Sequence, residues 1–212
     1  RAMNPADVRA IVRTGSTSDL NHFSGLTSNG TKPVAGSNRI CTASHHIMRH
    51  HYLGLRRSVG ENMAYLVRDR QGREVACLLF GAPAWKAAPR DRFIGWSDDV
   101  RAKHVNWITN NTRFLILPWV SVPHLASHIL ALTLRRLAAD WQAKYGHPIC
   151  LVETFVDRSR FKGTCYRAAN WICVGQTQGR SRQDRDRTLQ VPVKDVFLYP
   201  LRKDFRQVLA DG

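Results

Sequence analysis

The chain is poor in what several protein classes require. No apolar run approaches the roughly 20 residues of a membrane-spanning helix, and no signal-peptide pattern opens the sequence, so a cytoplasmic protein without membrane partners is expected. The five cysteines, Cys41, Cys77, Cys150, Cys165 and Cys173, are scattered, with no CxxC pair and no Cys/His ligand spacing. That excludes the usual structural zinc patterns and fits free thiols in a reducing compartment. Carboxylates are scarce: 16 Asp+Glu stand against 32 Lys+Arg, a formal net charge of +16. The resulting isoelectric point of about 10.5 is the footprint of a nucleic-acid binder. Arginine dominates the basic residues, which suits bidentate phosphate contacts. A basic surface with no dedicated partner is the plainer alternative.

What is present is ample for one core: 212 residues, of which 43% are hydrophobic. Residues 1–43 are rich in Ser, Thr, Asn and Gly without sustained period and are expected to be poorly ordered or atypical. Residues 44–212 are expected to form a single α/β domain, a mixed twisted sheet flanked by helices. Its organising segment runs over residues 113–175 as strand, long helix, strand, short helix, strand. RFLILPWV, ICLVETFV and ICVG are the strands. Ser121 is a candidate cap for the long helix, Pro123 suits its first position, and Gly146 with Pro148 stops it. Leu125, Ile129 and Leu132 form one apolar row, beside Leu130, Leu134, Leu137 and Trp141. A strand–helix–strand of this length is a right-handed parallel unit.

Upstream, ASHHIMRHHYLG reads as a short helix turning at Gly54. His46 and His50 stand four apart, flanked by His45 and His51. No third ligand has matching spacing, and Arg49, Arg56 and Arg57 would repel a cation, so no metal site is expected. The histidines read as a polar helix face or a phosphate contact. MAYLVRD and EVACLLFGA form a hairpin across Gly72. APAWKAAPRDRFIGW reads as a loop whose Trp85, Phe93 and Trp96 either stack on bases or pin the loop to the core. Ser97-Asp98-Asp99 starts a helix over about residues 98–109, which Asn110-Asn111 ends. Pro118 should mark a bulge or edge in its strand. By alternation Glu153 shares a face with Leu151 and Phe155, so it is either paired with an arginine or raised in pKa within a pocket.

The order of hairpin, bulged strand, long helix, strand, short helix and YRAANWICVG resembles the second half of the GNAT N-acetyltransferase fold. The resemblance implies a fourth strand splayed from the fifth and a CoA-type donor bound at the long helix's N-terminus, near His124 and Ser127. It also places Tyr166 where the family's sulfur-facing tyrosine often stands. The family's glycine-rich pyrophosphate loop is replaced here by VSVPHLASH, which has no glycine for close backbone approach. A more extensive resemblance covers residues 48–201. HYLG, GENMAYLV, ACLLFGAPAWKAAPRDRFIGWS, NNTRFLILPWVSVPHLASH, ADWQAKYGHPICLVETFVDRSRFKGTCYRAANW and TQGRSRQDRD look like the DruA-type family. This family is named for the Druantia anti-phage system, and its stand-alone relatives are common near mobile elements. The resemblance implies a defence or mobile-element setting and, among partners, other proteins of such systems.

Two functions of different class follow. The first is nucleic-acid binding on a GNAT-like scaffold, with Arg90, Arg92, Arg113, Lys162, Arg167, Arg180 and Arg182 holding phosphate and Trp85 or Trp96 stacking on bases. The second is an acyl- or aminoacyl-transferase using a CoA-type or acyl-tRNA donor, with Glu153 as base and Tyr166 as acid. A nuclease would have to use Asp91, Glu153 and Asp157, which no recognisable metal-dependent nuclease motif joins.

Overall fold

The computed structural model describes residues 8–9, 38–55, 60–179 and 191–210. It separates into two compact units, one drawn from Arg1–Ala82 and Asn111–Asp140, the other from Pro83–Asn110 and Trp141–Gly212.

In the first unit β1 (Val8–Arg9) pairs antiparallel with β2 (Met63–Asp69), which forms the expected hairpin with β3 (Glu74–Gly81). Gly72 takes φ 81° at the turn, a conformation glycine adopts without steric cost. Asp69 Oδ1 accepts the backbone N–H groups of Gln71 (3.0 Å) and Arg73 (2.9 Å) and so closes the loop. Helix α1 (Asn38–His50) begins before the stretch predicted for it. Its Ala43 and Ile47 pack with Ala64, Leu66, Cys77, Leu79 and Leu117 into one apolar cluster.

β4 (Ile108–Ile116) corrects the predicted strand boundaries. The strand starts five residues earlier than expected and ends before Pro118. That proline lies in a turn, where the Val120 N–H donates to Leu117 O at 2.9 Å. Asn110 and Asn111, expected to end a helix, lie inside the strand. Asn111 is buried there because its amide has partners: Nδ2 donates to Leu79 O (3.3 Å) and Arg113 O (3.1 Å).

Helix α4 (Leu125–Tyr145) starts after Ser121 and Pro123: Pro123 lies in the turn before the helix and Ser121 further upstream, so neither caps it. It stops as predicted: Gly146 takes φ 77° and donates its N–H to Gln142 O at 2.9 Å. The buried stripe is Leu125, Ile129, Leu130, Thr133, Leu134, Leu137 and Trp141. Thr133 takes the interior place predicted for Leu132, its hydroxyl donating to Ile129 O at 2.8 Å.

In the second unit the strand order is β4-β5-β7-β6, with β5 (Leu151–Asp157), β6 (Ile172–Gln176) and β7 (Lys194–Pro200). β5 runs parallel to β4 over only three residue pairs, Ile108 with Leu151, Thr109 with Val152 and Asn110 with Glu153. The other pairings are antiparallel, so the sheet is mixed. Ile94, Ile108, Cys150, Leu151, Val196, Leu198, Phe205 and Leu209 form its core cluster. They come from strands and Cys150 just before β5, from α2 (Ala88–Ile94) and from the closing helix α6 (Phe205–Ala210). α5 (Thr164–Ala168) lies between β5 and β6 in sequence. The architecture is therefore the expected α/β class with helices flanking a mixed sheet.

Two local expectations change. Residues 88–94 form a helix rather than a loop, with Pro89 in its first turn and Gly95 at φ 88° closing it. The helix after Ser97 is shorter than predicted: α3 spans Asp98–His104 and passes through a 3-10 turn (Val105–Trp107) into β4. Ser97 does cap it, accepting the Val100 N–H at 3.2 Å.

Candidate functional site

Glu153 sits at the last parallel pair of β4 and β5 and is fully buried. Its Oε1 accepts the Ala84 N–H at 2.6 Å and its Oε2 accepts from Arg90 Nη1 at 2.8 Å. Arg90, placed by α2, is equally buried and donates further to Ala84 O (2.6 Å) and to Asp91 Oδ1 from Nε (2.9 Å) and Nη2 (2.7 Å). Asp91 also accepts the Trp96 indole N–H at 3.1 Å and the Ala87 N–H at 3.0 Å. Burial pushes the Glu153 carboxyl above its ordinary value, against the Arg90 guanidinium and the Ala84 N–H, which favour the charged form. The result is a closed ionic network that ties residues 83–96 to β5.

This network corrects two predictions. Arg90 cannot hold phosphate, because its guanidinium is inside and surrounded by its own chain's acceptors. Trp96 is not a free stacking ring, since its N–H is committed to Asp91 and the Arg90 guanidinium lies 5.7 Å from its ring centre.

Register decides the predicted acid–base pair. Glu153 stands opposite Leu198 on β7, and Thr154 stands opposite Phe197. Directly opposed residues project to one face, and neighbours along a strand to opposite faces. The Tyr166 ring stacks on Phe197 at 5.8 Å and meets Trp171 edge-on at 5.1 Å. Tyr166 therefore lies on the Phe197 face of the sheet and Glu153 on the other. The structure does not bring the two together, so they cannot share one substrate as base and acid. The nuclease carboxylates fare no better. Asp91 and Glu153 hold Arg90 between them, and Asp157 accepts the Ser159 N–H (3.0 Å) and hydroxyl (2.6 Å).

Among the other predicted residues, Arg113 is half-buried and spends Nε on Gly54 O (2.8 Å) and Nη1 on Thr112 O (2.7 Å), a structural tie rather than a phosphate arm. Arg92, Lys162 and Arg167 are exposed. The Arg167 guanidinium lies over the Phe197 ring, 5.1 Å from its centre, so its head is held against that ring although the residue is exposed. Arg158 and Arg160 precede half-exposed Phe161 in the segment after β5, and pair with Asp195 (3.4 Å) and Asp157 (4.0 Å) respectively. Trp85 is also half-exposed, beside the Arg101 guanidinium at 6.0 Å. Arg180 and Arg182 lie outside the described residues. His124 and Ser127 do stand at the start of α4, but the Ser127 hydroxyl donates to His124 O at 3.0 Å instead of facing outward as an anion donor. Among the described residues, no group of three His, Cys, Asp or Glu is placed to hold a metal ion, and no helix is long and apolar enough to cross a membrane.

One exposed aromatic escaped the sequence reading. Trp119, in the turn that follows β4 at Pro118, is largely exposed and touches His46 and His50. Its position beside Pro118 made it look like part of a strand.

The family profile described as Druantia protein DruA matches residues 42–190. A search of curated proteins found no match. Among solved structures, the chain is similar to a mutant of spermidine N-acetyltransferase from Vibrio cholerae, at 8% identity and TM-score 0.49, covering 94% of this chain and 96% of that one. It is also similar to spermidine/spermine N-acetyltransferase from Vibrio cholerae in complex with manganese, at 9% identity and TM-score 0.48, covering 96% and 98%. The Vibrio cholerae enzyme in complex with CoA and spermine is similar at 8% identity and TM-score 0.48, covering 92% and 96%.

Proposed function

Since the chain belongs to the Druantia protein DruA family, we propose that it serves an anti-phage defence or mobile-element system as a nucleic-acid-binding protein on its α/β scaffold. One observation carries this reading. The segment after β5 carries exposed Arg158, Arg160 and Lys162 beside half-exposed Phe161 in sequence, with exposed Arg167 following in α5. Basic groups interleaved with an open aromatic ring are what a phosphate backbone with accessible bases requires. The overall charge of +16 supports the same partner. Trp85 adds a second half-exposed ring in the same unit.

The transferase reading ranks second. Its base is held in an interior ion pair, its acid stands on the opposite face, and α4 begins without the glycines that admit a pyrophosphate. Fluorescence-anisotropy titration against single-stranded DNA, duplex DNA and RNA at several salt concentrations, with acetyl-CoA added in parallel, separates the two. Binding that weakens steeply with salt and ignores acetyl-CoA is the expected result. Saturable acetyl-CoA binding with no nucleic-acid affinity would reverse the ranking.

A further inference from the structure

Helix α1 carries no carboxylate, and its C-terminal half holds His45, His46, Arg49 and His50. Against it stands Trp119, 61% exposed and the most open of the large hydrophobic side chains among the described residues. Its ring centre lies 5.7 Å from that of His46 and 5.6 Å from that of His50, at interplanar angles of 63° and 86°. The two imidazoles, one helical turn apart, stack on each other at 6.2 Å. His46 is itself anchored: its Nε2 lies 2.7 Å from Glu74 Oε2, and Glu74 Oε1 accepts from Arg68 Nη2 at 2.7 Å. Arg68, Glu74 and His46 thus form a brace from the hairpin to the indole.

A tryptophan that only filled the core would be buried, and an idle one would not need two imidazoles to hold it. Here a braced ring leaves more than half of its surface to solvent. The charge around it is positive. The acidic side chain of the brace, Glu74, is already matched by Arg68 and His46, and Arg49 is exposed on the adjoining turn.

We propose that Trp119, with His50 and Arg49, forms a base-stacking subsite for an unpaired base of a single-stranded nucleic acid. The indole supplies the stacking face, which accepts any base because each has a π face. Arg49 supplies the cation for the adjoining phosphate. This subsite deepens the nucleic-acid reading and rests on it, but it belongs to the first unit and uses none of the residues on which that reading was built.

The test uses the full chain with a fluorescein-labelled oligo-dT strand and a fully paired duplex of equal length. Trp119→Ala should lower affinity for the single strand roughly 5-fold to 150-fold and leave duplex affinity unchanged. Trp119→Phe should retain most of the single-strand affinity. Thermal melts serve as the folding control, and an exposed side chain should leave them unmoved. The combined Lys162→Ala and Arg167→Ala variant should weaken both ligands. If that variant weakens binding while Trp119→Ala changes nothing, the subsite is wrong and the nucleic-acid reading stands. If the wild-type chain binds neither ligand, both fall together. Equal loss on single strand and duplex would also overturn stacking. So would a concentration-dependent dimer in sedimentation that Trp119→Ala abolishes, which would make the patch an interface between copies.

Discussion

Glu153 and Arg90 are each fully buried, and each is the other's charge partner. Removing one member of such a pair strands a charge in a medium that cannot solvate it. Glu153→Ala should therefore lower stability by about 3 kcal/mol in urea unfolding. The joint replacement Arg90→Met with Glu153→Leu should recover much of that loss, because an apolar pair of similar volume carries no desolvation cost. Failure of the joint variant to improve on the single one would show that Asp91 and the Ala84 carbonyl dominate the network. His51 supplies a pH dependence. Burial, and then the Arg113 guanidinium, lower its pKa from 6.5 to about 4. The Leu53 N–H donates to its Nδ1 at 3.2 Å, which requires the neutral ring. The unfolded chain takes up this proton near pH 6.5 and the folded chain only near pH 4. Stability from this residue is therefore complete above pH 6.5 and is lost as pH falls toward 4. Thermal melts between those values should decline with acidification, and His51→Gln should flatten that decline.

At the level of elements, α3 depends on its first turn. Ser97 caps it, and Asp98 and Asp99 follow at the positive end of the helix dipole. Ser97→Ala should cost about 1 kcal/mol in urea unfolding, the ordinary worth of a lost cap. An unchanged midpoint would mean that the ion pairs of Asp98 with Arg101 and Lys86 hold the turn by themselves. The neighbouring helix α2 shows why some elements were legible and others were not. Ser97-Asp98-Asp99 is a local signal, and the helix does start there. Pro89 and Gly95 bracket a seven-residue helix in the same way, yet two prolines and two tryptophans nearby favoured a loop. What holds α2 is the long-range contact of Arg90 with Glu153, 63 residues away, and no periodicity within the segment reports it. The same holds for Asn110 and Asn111. Polar residues read locally as a helix end, but partners on β3 and Arg113 let Asn111 enter a strand.

For the whole molecule, net charge of +16 sets the expected response to salt. Each phosphate contact on duplex DNA contributes a slope of about 0.9 in log affinity against log salt. The Lys162→Ala and Arg167→Ala variant should accordingly bind duplex with a slope shallower by nearly two units in that plot. An unchanged slope would move the phosphate track away from the segment after β5.

The sequence by itself determined the charge, the hairpin, the long helix with its glycine stop, and the strand–helix–strand order around it, but not the residues 108–110 through which β4 pairs parallel with β5. The features it did determine follow from sums over residues and from periodicities confined to one segment. The family was legible too, in long motifs spread over residues 48–201. Tertiary structure alone decided which arginines are available. Arg90, Arg92 and Arg113 differ little as residues, yet one is buried against Glu153, one is exposed, and one is tied to Gly54. It alone decided that Glu153 and Tyr166 face opposite ways, since that follows from the register of β5 with β7 and the seating of Tyr166 on Phe197. It also placed Trp119 outward on two histidines from another element. Burial is a property of pairs brought together from distant parts of the chain, and a pattern read along one strand or helix contains only one member of each pair.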